Sequence, residues 1–368
     1  MASSIPAFAC AKRSYLMTTQ TNTSSTTWTL KPPVTRTRDH PAMQSLRKLL
    51  RNPTAVAGLI LLAAFLVIAV AAPLIAPPAA NARDPYIIPR DGFSSTPQAP
   101  SAEHPFGTTE GQYDIFYGVV WGTRTAFRIG LVITLLTTLI GITIGALSGY
   151  HGRWVDEGLM RFTEIFQAFP FLLAAITLTA VLQTVYGRGE AGPLMIAAKG
   201  LALLTFGHNP AKPLDPVQLQ ILTGMMAIIL FGWMGYARVI RGNVLSIKEH
   251  EYTMAARVVG VSDRRILSRH LLPNAIFPVL VIASMNIGSY VLTFAALSFL
   301  GLGAQRGYAD WGQMISFARN WVPSLAQHWH IVVIPGLAIV LFVLAWNLVG
   351  DALRDILDPR LRGTGGGL

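Results

Sequence analysis

Six stretches of this chain, 55–76, 129–147, 166–185, 219–236, 275–297 and 331–348, contain no Asp, Glu, Lys, Arg or His. Each is close to the ~20 apolar residues that an α-helix needs to cross the hydrocarbon core of a bilayer. The chain therefore reads as an all-α membrane protein with six transmembrane helices. A further apolar segment at 193–206 has only 14 residues and holds Lys199, which favours a re-entrant or interfacial piece over a seventh span. Only 13% of the residues are charged, against about 25% in a soluble domain. The single cysteine, Cys10, excludes an internal disulfide and any C-x-x-C pair.

The formal net charge is +11, and its distribution carries an orientation. With the N-terminus in the cytoplasm, the inside segments are 1–54, 148–165, 237–274 and 349–368. They hold 20 of the 29 Lys and Arg residues. Positive charge is retained on the cytoplasmic side of a membrane, so both termini are expected there. The basic excess is then a topology signal, and no nucleic acid is needed to explain it. Residues 1–50 read as a flexible cytoplasmic tail. Residues 51–123 read as the first span plus a long extracytoplasmic loop, 124–350 as the remaining five spans with their connections, and 351–368 as a cytoplasmic C-terminal tail. A second outside loop, 186–218, reads as irregular chain around the short apolar segment.

Between the fourth and fifth apolar runs lies "EYTMAARVVGVSDRRILSRHLLPN", 251–274. Ser246 to Glu249 reads S-x-x-E, a capping-box start for a helix. Tyr252, Ala255, Ala256 and Val259 follow at i, i+3, i+4 and i+7, one apolar face. Gly260 is placed to stop that helix in the left-handed conformation. Ser262 or Asp263 can cap a second helix carrying Arg264, Arg265 and Arg269, and Pro273 is expected to end the unit. Two readings stand: a helix lying on the membrane surface, or one whose small Ala255–Ala256 face docks in a protein groove.

The remaining chemistry is sparse. No G-x-x-x-x-G-K-[ST] is present, so the chain is not expected to bind ATP or any cofactor itself. "LSGYHG", 147–152, reads as the ordinary end of a span. "HWH", 328–330, lacks a neighbouring third ligand, so no metal is expected, and Trp321 and Trp329 suit an interfacial aromatic belt. The six runs lack the ionisable groups that ion-coupled transporters place in the membrane. Asn286, Ser289, Tyr290 and Thr293 share one face of the fifth run. They either line a pathway or hydrogen-bond between helices.

The 251–274 segment resembles the cytoplasmic EAA loop of bacterial ABC importer permeases, whose pattern is Glu-Ala-Ala, three residues, Gly, nine residues, Ile, one residue, Leu-Pro. Ala255, Ala256, Gly260, Leu272 and Pro273 match it. Met254 stands at the Glu and His270 at the Ile. "GRWVDEGLMR", "AFP", "GYARVIRGNVLS", "LSFLGLG", "DWGQMI" and "NLVGDALRDILDPRLR" are similar to the second permease subunit of dipeptide/oligopeptide (peptide/nickel) importers. "GTTEGQYD" replaces that family's "GTDELGRD"-like motif, and Phe294 occupies a position where it often has an acid. The resemblance implies a type I ABC importer permease fold, with an ABC type-1 transmembrane domain over 124–350 and its EAA coupling loop at 246–274. Glu251, Tyr252, Ala255, Ala256, Val259, Gly260, Arg264, Arg265 and Pro273 would contact an ATPase subunit. The implied partners are a homologous permease, two ABC ATPase subunits that hold ATP and Mg, an extracytoplasmic binding protein meeting loops 77–123 and 186–218, and the bacterial inner-membrane bilayer.

Overall fold

The computed structural model describes residues 52–357 apart from 80–81, 83 and 189–191, all within the unit Leu49–Leu368. The expected tail at 1–50 lies outside these residues, as do 358–368 of the expected C-terminal tail at 351–368; its first seven residues instead continue the last helix, His330–Leu357. Among the described residues the chain is helical, with three isolated backbone bridges and no strand.

The first helix, α1 (Pro53–Ile75), starts where Asn52 Oδ1 accepts from the Thr54 N–H at 3.1 Å and Pro53 supplies a preset φ. The second, α2 (Ile115–His151), has 37 residues and begins fourteen residues before the apolar run that announced it. Arg124 and Arg128 truncated that run in the sequence. In the structure their guanidinium groups lie over the Trp121 and Tyr86 rings, 5.1 and 4.6 Å from the centroids. Asp114 caps the helix through the Tyr117 N–H at 2.7 Å. The expected boundary at 123/124 thus falls inside a continuous helix.

The third run is not a simple span. An amphipathic helix, α3 (Arg153–Gln167), meets α4 (Phe171–Gly187) at an 84° bend. The break falls at "AFP", because the residue before a proline is biased away from helical geometry. Phe162 and Phe166 belong to α3 and pack on Trp233 and Phe231, so the expected start at 166 is corrected to 171. The short apolar segment is a helix, α5 (Gly192–Phe206), with Ala198, Leu201, Ala202 and Thr205 buried. It packs against α6 (Pro216–Gly232). The short apolar segment within the 186–218 loop is thus an ordered helix. After a break at Trp233 the chain continues as α7 (Met234–Lys248). A short helix, α8 (Glu251–Val258), and a one-turn α9 (Asp263–Ile266) follow. A wide turn at Leu267–Leu271 leads into α10 (Leu272–Ala275) and α11 (Phe277–Phe299). Then come α12 (Trp311–Ser316), a 3₁₀ segment Phe317–Ser324, and α13 (His330–Leu357).

Five helical stretches among the described residues are long and apolar enough to cross a membrane, and six if the bent α3–α4 pair counts as one span. The centre of the bundle is α2, which packs on α7, α11, α1 and α3; α13 closes the bundle against α11 and α1. The α2–α7 contact is close. Gly141, Gly145 and Gly149 recur at four-residue spacing, and a Cβ placed on Gly145 would lie 2.2 Å from the Ala237 carbonyl oxygen. Small residues at this spacing let two backbones approach inside a membrane.

At the end of the bundle where α2 begins, 84–114 folds over the chain between α11 and α13. Ile88 N–H donates to the Gly307 carbonyl at 2.8 Å, and Trp121 Nε1 donates to the Ala76 carbonyl at 2.9 Å. His330 is buried beneath Gly107 in this layer, and its ring centroid lies 6.2 Å from that of His328. The opposite end carries α3, α8 and the end of α7.

Candidate functional site

The α8 segment is built differently from its sequence signature. Ser246 does not start it. It lies in the last turn of α7, whose C-cap is Glu249, and His250 precedes α8 without a side-chain cap. The S-x-x-E pattern fails because the helix that follows the fourth apolar run does not stop there; α7 carries on through Ser246. The start of α8 is held instead by Thr253, which is fully buried and donates to the Ile247 carbonyl at 3.1 Å.

Gly260 behaves as expected, with φ +82°. Its N–H bonds the Arg257 carbonyl at 2.9 Å, and the Val261 N–H bonds the Ala256 carbonyl at 3.1 Å. This pair of bonds is a Schellman stop, completed by the packing of Ala256 and Val261 toward the core. The expected apolar face therefore splits. Ala256 turns inward, whereas Tyr252, Ala255 and Val259 remain exposed. Met254 and Val258, absent from the periodic reading, join the exposed group, and Val258 and Val259 are 87% and 81% accessible.

Glu251, Arg264 and Arg265 are exposed around this surface. Ser262 caps α9 through its backbone, its carbonyl accepting from the Ile266 N–H at 3.0 Å. Asp263 accepts from the Tyr150 hydroxyl. Pro273 does not end the unit: it sits in the first turn of α10 after the wide turn, where the Leu272 N–H bonds the Leu267 carbonyl. A proline lacks the N–H and crowds the carbonyl four residues back. The helix accommodates it by widening, and Asn274 Nδ2 bonds the His270 carbonyl at 2.7 Å.

The platform beneath α8 was invisible to local pattern. Lys248 Nζ donates to the Tyr150 carbonyl at 2.6 Å, joining the end of α7 to the end of α2. Arg241 grips Asp156 with two parallel bonds, Nη2 to Oδ2 at 2.6 Å, so α3 is locked to α7. The Arg241 guanidinium, more than any other neighbour, holds the Asp156 carboxyl below the usual carboxylate range. Ser148 donates to the same carboxylate, so "LSGYHG" is no ordinary span end. These partners stand 85 to 113 positions apart for the inter-helix pairs, beyond the reach of any periodicity.

The four polar residues of α11 divide. Asn286 Nδ2 donates to the Tyr236 hydroxyl at 2.8 Å, and the buried Tyr290 donates to the Gly232 carbonyl at 3.0 Å. Both tie α11 to the α6–α7 break. Ser289 is exposed, and Thr293 bonds the Ser289 carbonyl on its own helix at 2.9 Å.

Comparison with known proteins gives this geometry a family. Residues 141–363 match the binding-protein-dependent transport system inner membrane component, and 41–97 match the N-terminal TM domain of oligopeptide transport permease C. The dipeptide transport system permease protein DppC of Alkalihalophilus pseudofirmus is 34% identical over 322 residues, covering 88% of this chain and 91% of that protein. The glutathione transport system permease protein GsiD of Pectobacterium atrosepticum is 34% identical, covering 75% and 81% respectively. DppC of Bacillus subtilis is 32% identical, covering 86% and 85%. A helical multi-span bundle that ends in an exposed apolar turn, matched over most of its length by these permeases, places the chain in the family of binding-protein-dependent ABC transport permeases, as a membrane transport subunit and not an enzyme.

Proposed function

We propose that this chain forms half of the translocation pathway of a di- or oligopeptide importer in the bacterial inner membrane, with both termini cytoplasmic. Its partners are a homologous permease, two ATPase subunits and an extracytoplasmic binding protein. The observation that carries the coupling role is the exposed face of α8: Tyr252, Met254, Ala255, Val258 and Val259 lie uncovered on a helix fixed by a Schellman stop and by Thr253. An apolar turn rigidly mounted on the ends of α2 and α7 suits a groove in an ATPase subunit. Movement of that groove on ATP binding would reach the spans through Lys248, Arg241 and Asp263. The bundle then behaves as a two-state element biased by differential binding. Glu251, Arg264 and Arg265 supply the polar rim of the contact.

The peptide substrate class is supported by the relatives named for dipeptide and glutathione transport. Ser289 and Thr293 are the better candidates to face the pathway, since Asn286 and Tyr290 already bond across to α6–α7.

The test is a Val258→Glu variant in the assembled transporter. A charge pressed into an apolar groove without a partner is costly, so ATPase subunits should no longer co-purify and dipeptide uptake should fall about tenfold or more. Intact recruitment and uptake would remove α8 from the contact. Uptake should also survive collapse of the proton gradient while ATP is held constant.

A further inference from the structure

A cavity of about 420 Å³ lies at the end of the bundle opposite α8, between the end of α11, the start of α6 and the 3₁₀ segment. Such a volume falls within the range of small-ligand sites. Arg306 and Arg319 stand at its edge, and no Asp or Glu lines it. Among the described residues neither guanidinium is paired with a carboxylate. Instead each lies over an aromatic ring, Arg306 on Phe317 at 5.7 Å and Arg319 on Phe299 at 4.4 Å, which orients it without neutralising it.

The floor carries the second observation. Gln313 is only 2% accessible, lines the cavity, and finds no hydrogen-bond partner for either its amide nitrogen or its amide oxygen. A buried amide left unpaired on both atoms is costly, and the cost is relieved by a ligand that offers both an acceptor and a donor. Two of the other amides are partly committed. Gln220 Nε2 donates to the Gly301 carbonyl at 3.1 Å, and Asn320 Nδ2 donates to Glu110 at 2.9 Å. Glu110 is thereby held by Asn320 and by Trp321 Nε1 at 3.2 Å, outside the cavity wall.

We propose that this cavity receives the free C-terminal carboxylate of a short peptide, with Arg306 and Arg319 on the carboxylate and the Gln313 amide on the adjoining peptide bond. Two guanidinium groups supply the planar, charge-assisted donors that carboxylates favour. A peptide unit brings the donor and acceptor that the Gln313 amide lacks. The depth of Gln313 favours a small free ligand over a surface side chain of a docking protein. The assignment rests on the peptide-import reading above.

The experiment uses the permease pair with its ATPase subunits in lipid nanodiscs, without the binding protein. The probes are alanyl-alanine and its C-terminal amide. Wild type should bind the free acid and bind the amide about tenfold or more weakly, and Arg306→Gln combined with Arg319→Gln should erase that difference. Gln313→Leu, which fills the floor without a polar atom, should weaken both probes. Equal binding of acid and amide by wild type would overturn the assignment. So would a double variant that keeps its preference, or one that loses docking of the binding protein while peptide binding stays intact. Uptake by the complete wild-type transporter separates the two readings. Failure to import any dipeptide would refute the import reading while the nanodisc binding still decides the cavity. Import without any acid preference at the cavity would refute this assignment alone.

Discussion

Gly260 and Asp310 show how single positions set the working geometry. At φ +82° a β-branched residue is strained by about 1–2 kcal/mol. No neighbouring atom crowds the site, so Gly260→Val should act through the backbone alone. It should loosen the Schellman stop and weaken ATPase recruitment several-fold, whereas Gly260→Asn, which tolerates that conformation better, should retain most of it. Co-purification of the ATPase subunits checks both. Asp310 lies between α11 and α12, buried, and accepts from the Gln313 N–H at 2.9 Å. Burial pushes its carboxyl up to about 6. A carboxyl raised in the folded state contributes stability at low pH, and that contribution is lost as pH rises through the folded value. Asn can keep the cap without a charge, so Asp310→Asn should gain thermal stability relative to wild type as pH is raised from 5 to 8. A difference independent of pH would contradict this.

Among the elements, the α2–α7 pair decides whether the platform holds. A side chain on Gly145 meets backbone of Ala237, which cannot move aside as a flexible tip would. Gly145→Val should therefore force the helices apart and destabilise the complex by about 3 kcal/mol, read as a lower unfolding temperature in detergent. Gly242, on the same α7, has nothing within 4 Å of its added Cβ. Gly242→Ala should leave stability unchanged or raise it by up to about 1 kcal/mol, the ordinary helix preference. The contrast between two glycines of one helix pair separates close packing from propensity. The same packing explains what the local code missed. The capping-box reading at Ser246 obeyed a valid local rule, but α7 is carried past it by contacts with α2, and Thr253 took over the start of α8.

Over the whole molecule, the two ends should face opposite sides of the membrane. With Cys10 replaced by serine, Phe93→Cys and Val258→Cys offer single thiols at positions 81% and 87% exposed. An impermeant maleimide applied to intact cells should label position 93 and spare position 258. Labelling of both from one side would refute the orientation read from Lys and Arg.

The apolar runs, the basic bias and the 251–274 motif were legible in the sequence because each is a local pattern that a bilayer or a helix enforces residue by residue. They gave the helical class, nearly all of the spans, and the turn at Gly260. The extent of α2 was hidden by Arg124 and Arg128, whose guanidinium groups lie over aromatic rings, Trp121 of the same helix and Tyr86 of the preceding loop. The bend at 168–170 was hidden, and so was the packing of α5 on α6, because short apolar stretches look alike until they have a surface to pack against. The mounting of α8, through Tyr150, Asp156, Arg241 and Lys248, depends on pairs brought together by the α2–α7 glycine contact. By itself the sequence determined which segments leave water. The tertiary structure alone decided which polar groups those segments present to one another, because long-range partners are chosen by how closely the helices can approach.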